Sequence, residues 1–111
     1  MQPLTGDRKF RDDIVRIAEL TVNTSMLIGY EFTNCRIVGP AVLVPLGNTS
    51  LQHIDFNGSL DAIFWEILPE RQEVLGGVGV QDCLFSSCRM DDIGIAGPAS
   101  LRELLRSSGL A

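Results

Sequence analysis

The stretch FTNCR, Phe32 to Arg36, returns almost letter for letter as FSSCR, Phe85 to Arg89. A repeat inside a chain of 111 residues constrains the fold more than any bulk property, because each copy must occupy an equivalent place. A third phenylalanine, Phe56, lies between the copies, so the series runs Phe32, Phe56, Phe85 with spacings of 24 and 29. The flanks agree as well. Leu27, Leu51 and Val80 stand five positions before each Phe, and Cys35, Ser59 and Cys88 stand three after it. A second apolar stretch follows in every unit: RIVGPAVLVP, LDAIFWEI and RMDDIGIAGP.

Each unit therefore reads as strand, bend, strand, with the bends at Asn34, Gly58 and Ser87. Asn and Gly tolerate the left-handed backbone of a sharp corner. A unit this short cannot bury its own apolar face, so successive units have to stack. The expected architecture is all-β: a parallel β-helix of three to four turns, a solenoid with equivalent positions about 4.8 Å apart and with Phe32, Phe56 and Phe85 piled on one another. GPA at Gly39 to Ala41 and again at Gly97 to Ala99 reads as a recurring turn.

The two ends differ from the middle. FRDDIVRIAEL fits an amphipathic helix, with Phe10, Ile14, Ile17 and Ala18 on one face, and equally an incomplete first turn with a strand at Ile14 to Ala18. The Phe series, extended back 22 residues to Phe10, favours the strand. PASLRELLRSSG has Pro98 at its start, Leu101, Leu104 and Leu105 on one side and Gly109 as a stop, which predicts a capping helix over about 98–107. A single domain spans 1–111, with repeat turns over about 20–98. PERQE, Pro69 to Glu73, is its most polar connection.

The F-x-x-C spacing, the apolar strand after it and the GPA turn resemble small bacterial right-handed β-helix proteins, of the pentapeptide-repeat and bactofilin-like kind, over roughly Leu20 to Pro98. Cys83, Cys88 and Ile93 keep the five-residue step of the pentapeptide-repeat group. The resemblance implies a right-handed coil. Acidic members of the pentapeptide-repeat group act as DNA mimics, which makes an acidic inhibitor of that type one reading of this chain.

Charge and composition exclude several functions. With nine Lys and Arg against 14 Asp and Glu, the chain has no basic stripe for a nucleic-acid backbone or an anionic membrane surface. No apolar run approaches the roughly 20 residues of a spanning helix, and the first ten residues lack the apolar centre of a signal peptide. A cytoplasmic location is the expectation. Three cysteines form no spaced framework and read as reduced thiols packed in the repeat. His53, the sole histidine, cannot make a metal site alone and reads as a corner residue. GGVG at Gly76 to Gly79 lacks the pattern of a phosphate loop. No catalytic, cofactor-binding or metal-binding residue is assigned.

Two sets of residues remain. Phe64 and Trp65 are adjacent, so in a strand they point to opposite faces, and an aromatic left outside the core is an anchor for another protein chain. That makes the chain a non-enzymatic scaffold or assembly module, homo-oligomeric or bound to another protein. The alternative is a carbohydrate-binding or carbohydrate-active protein using Asp55, Asp61 and Asp82, since glycoside chemistry runs on paired carboxylates. Asp91 and Asp92 belong to the same pool of acids.

Overall fold

A computed structural model describes residues 8–68 and 77–107. The chain begins with β1 (Lys9–Arg11), β2 (Ile14–Arg16), α1 (Ile17–Leu20), β3 (Met26–Ile28), β4 (Glu31–Thr33) and β5 (Arg36–Leu46). It continues with β6 (Ser50–Gln52), β7 (Asp55–Phe56), α2 (Leu60–Ile63), β8 (Phe64–Glu66), β9 (Gly77–Gln81), β10 (Leu84–Ser86), β11 (Arg89–Gly97) and α3 (Ala99–Ser107). Among the described residues every strand pairing is parallel.

Two sheets result. One has the order β1-β4-β10-β6; the other runs β3-β9-β5-β11-β7, with β2 on β5 and β8 on β11. This overturns the all-β, right-handed parallel β-helix. Among the described residues three short helices accompany the strands, so the fold is mixed, and those strands do not form a closed solenoid of consecutive repeat turns. The last segment written in the sequence, β9 to β11, is inserted between the two that precede it: β10 lies between β4 and β6, β9 between β3 and β5, and β11 between β5 and β7. β5 also runs unbroken for 11 residues, joining what the repeat would have divided. The molecule is correspondingly compact, with a radius of gyration of 13.3 Å, the value of about 13 Å typical of a globular chain of this length.

Side chains line up across the sheets in columns. The first is Leu27, Val80, Pro45; the second Phe10, Phe32, Phe85, Leu51; the third Val15, Ile37, Met90, Phe56. Rings stack at 5.4 Å between Phe10 and Phe32 and at 4.9 Å between Phe32 and Phe85, with Tyr30 alongside. Phe56 is therefore not in the phenylalanine stack. Its place beside Phe85 is taken by Leu51, and Phe56 sits on Met90, partly buried. The middle unit is aligned one pentad away from where matching Phe to Phe would put it.

Corners explain the short strands. Asp12, Asn34, Ser87 and His53 all take φ between 54° and 56°, and the backbone N–H groups of Asp12, Asn34 and Ser87 donate to the Thr33, Ser86 and Gln52 carbonyl oxygens of the neighbouring turns. The Asn34 amide also donates to the Asp12 carboxylate at 2.6 Å. The third corner is thus His53, and Gly58 plays no such part. Gly39 to Ala41 lies inside β5 instead of forming a turn, whereas the second GPA, Gly97 to Ala99, does end β11 and lead into α3.

Both readings of the N-terminal segment are partly realised. Ile14–Arg16 is strand, and the chain turns helical at Ile17, whose side chain is buried. The C-terminal helix forms where predicted and packs on α2, β8 and β11, with Leu105 buried and Leu104 largely exposed. Gly109 and the PERQE loop lie outside the described residues. Among those described, no helix is long and apolar enough to cross a membrane.

Candidate functional site

Strand alternation separates the adjacent aromatics. Phe64 pairs with Ile95 and packs against the core, while Trp65 pairs with Ala96, faces outward and is 59% exposed. Gly94 is what lets the indole lie close to the sheet. A Cβ there would come within 3.0 Å of Trp65 Nε1 and 3.3 Å of the Ile63 carbonyl oxygen.

Trp65 borders an open groove of about 470 Å³. Pro40, Val42, Ile93 and Gly94 give it apolar walls, and Asn57 and Asp92 add polar groups. The Asn57 side-chain oxygen accepts the Asp92 N–H at 3.1 Å, holding the bulge at which the β5–β11 register shifts. Asp92 takes φ 58° at that bulge. A wall built on sheet backbone and one exposed indole presents a preformed surface suited to apolar side chains, with little ordering cost on binding.

The three acids of the carbohydrate reading lie on separate elements. Asp55 opens β7, Asp61 is in the first turn of α2, and Asp82 is the left-handed corner after β9. The Asp82 carboxylate is already used, accepting the Asn48 N–H at 2.9 Å. Asp55 borders a groove of about 410 Å³ that follows the corner residues Asn34, Ser87 and His53, and neither Asp61 nor Asp82 lines it. The register column through Asp55 continues with Arg89 and Arg36, so it is not a row of acids.

Those two arginines carry a signal in the repeat itself, which keeps Arg as well as Phe and Cys. Each is the last letter of its pentad. Asp91 bridges them: its carboxylate accepts from Arg36 Nε at 2.5 Å and from Arg89 Nε at 3.1 Å, although the residue is only 7% exposed. The bond from Arg36, then that from Arg89, holds the Asp91 carboxyl below the usual carboxylate range.

The cysteines follow the corner residues into the core. Cys88 Sγ lies 3.4 Å from the Phe32 and Ser86 carbonyl oxygens, and Cys83 Sγ at the same distance from those of Leu27 and Gln81. Burial pushes both thiols up, which makes them poorer nucleophiles. All three cysteines are buried and free. Among the described residues no group of three or more His, Cys, Asp and Glu side chains converges as a metal site.

A second exposed apolar surface lies at β3, on the other sheet edge from Trp65's strand. Met26, Ile28 and Leu46 emerge on neighbouring strands around Gly79, where a Cβ would meet Met26 Sδ at 2.7 Å. MLI, with no polar position in a three-residue strand, was the available signal. Comparisons with protein-family models, with curated proteins and with solved structures each gave no match.

Proposed function

We propose that this chain is a non-enzymatic interaction module that associates with a second copy of itself through the face centred on Trp65. The observation that carries this reading is an indole 59% exposed at the mouth of a groove whose floor is fixed by sheet backbone. Leu68, two residues beyond β8, and Leu104 on the helix packed against β8 extend the apolar character of that end of the molecule. A chain of this size has much surface for little core, so covering such a face stabilises it.

Burying the exposed part of a tryptophan contributes about 2–4 kcal/mol at roughly 25 cal/mol per Å². Trp65→Ala should then raise the dissociation constant of a dimer about 30-fold or more. Light scattering behind a sizing column, over a wide concentration range, measures this for wild type, Trp65→Ala and Ile28→Asp. The expected result is a dimer that dissociates only in Trp65→Ala. Dissociation in Ile28→Asp with Trp65→Ala intact would move the interface to the β3 edge, and a wild-type monomer at every concentration would end the self-association reading.

A further inference from the structure

Arg36 and Arg89 are register partners on adjacent parallel strands, so their side chains leave the sheet about 4.8 Å apart with like charge. A single carboxylate stands between them. Asp91 engages both through Nε, the inner nitrogen of each guanidinium, and so fixes two forks side by side while neutralising only one of the two charges. Among the described residues, no protein acceptor meets the outer Nη groups of either arginine. Both side chains are more than half exposed, at 56% and 63%, and both line the corner groove of about 410 Å³. Asn34, Ser87 and His53 border the same groove and can supply further hydrogen-bond donors.

Two immobilised guanidiniums with free outer edges match the planar, bidentate geometry of carboxylate and phosphate oxygens. Immobilisation matters, because a long side chain otherwise loses rotamer freedom on binding. We propose that the corner groove is an oxyanion site, in which the outer nitrogens of Arg36 and Arg89 together grip a carboxylate or phosphate group. Asp55, the next residue in the column after Arg89, limits this site: it lines the groove, forms no ion pair among the described residues and repels an anion. Because the site uses none of the residues of the Trp65 face, its fate is separate from that of the dimer.

The test is a nuclear magnetic resonance titration of the full chain with sodium phosphate, sodium acetate and sodium chloride at constant ionic strength, following arginine Nε–H signals and backbone amides. Saturable shifts at Arg36, Arg89 and the Ser87 and His53 amides are expected, with phosphate and acetate distinguishing the two sources of the anion. Arg89→Gln should weaken binding about tenfold or more and Arg89→Lys, which keeps charge without the fork, nearly as much, while Asp55→Asn should tighten it several-fold. The gain expected in Asp55→Asn guards against misreading a folding defect, which can only weaken binding. Shifts no different from those with chloride, or an affinity unchanged in Arg89→Gln, would overturn the site.

Discussion

The motif that repeats can be decoded letter by letter. Phe32 and Phe85 point inward and stack; Asn34 and Ser87 turn the corner with positive φ; Cys35 and Cys88 re-enter the core; Arg36 and Arg89 emerge and clasp Asp91. Three of these roles follow from side-chain chemistry alone and were legible. The fourth was not, since Asp91 is close to Arg89 in sequence but 55 residues from Arg36. The energetic weight of the inward positions differs sharply. Phe85→Ala, which empties a fully buried site in the stack, should cost about 3–5 kcal/mol. Phe56→Ala, at a partly buried position off the stack, should cost about 1–2 kcal/mol. Urea unfolding of the two variants ranks them, and equal losses would mean that Phe56 carries as much packing as the stacked rings.

Among the elements, β5 shows how a strand overrides its own punctuation. Gly39 and Pro40 read as a turn, yet the β-branched and apolar residues on either side find partners on β2, β9 and β11, and that pairing keeps the segment extended. Glycine is needed for a reason the sequence did not disclose. A Cβ at position 39 would run into the Asp92 carbonyl oxygen and lie 2.6 Å from the Ala41 nitrogen, both backbone atoms of the bulge. Gly39→Ala should therefore destabilise the fold by about 3 kcal/mol. Gly94→Ala, whose nearest neighbour is the Trp65 side chain, should cost less than about 1.5 kcal/mol. Thermal or urea midpoints of both variants check this, and a Gly39→Ala variant as stable as wild type would show that the bulge can move aside.

Across the whole molecule, the order of the strands is what separates the two sheets from a coil of consecutive turns. A sequential stack would put β6 in the interior of its sheet and β10 at the edge; the structure has β10 inside, between β4 and β6, and β6 outside. Hydrogen exchange reads that difference directly: amides of β10 should exchange about tenfold or more slowly than those of β6, and the reverse order would restore the sequential arrangement. From its sequence alone the chain determined its short parallel-type strands, its inward Phe and Cys, its Asn34 and Ser87 corners and its C-terminal helix, because each depends on local backbone preference or on the alternation of apolar and polar residues. Tertiary structure alone decided which strand lies beside which, that Leu51 and not Phe56 meets Phe85, and that two arginines share Asp91. Every strand of the repeat offers a similar pattern of N–H and C=O groups along its edges, so backbone hydrogen bonding does not fix the stacking order. Only the joint packing of the side-chain columns makes that choice.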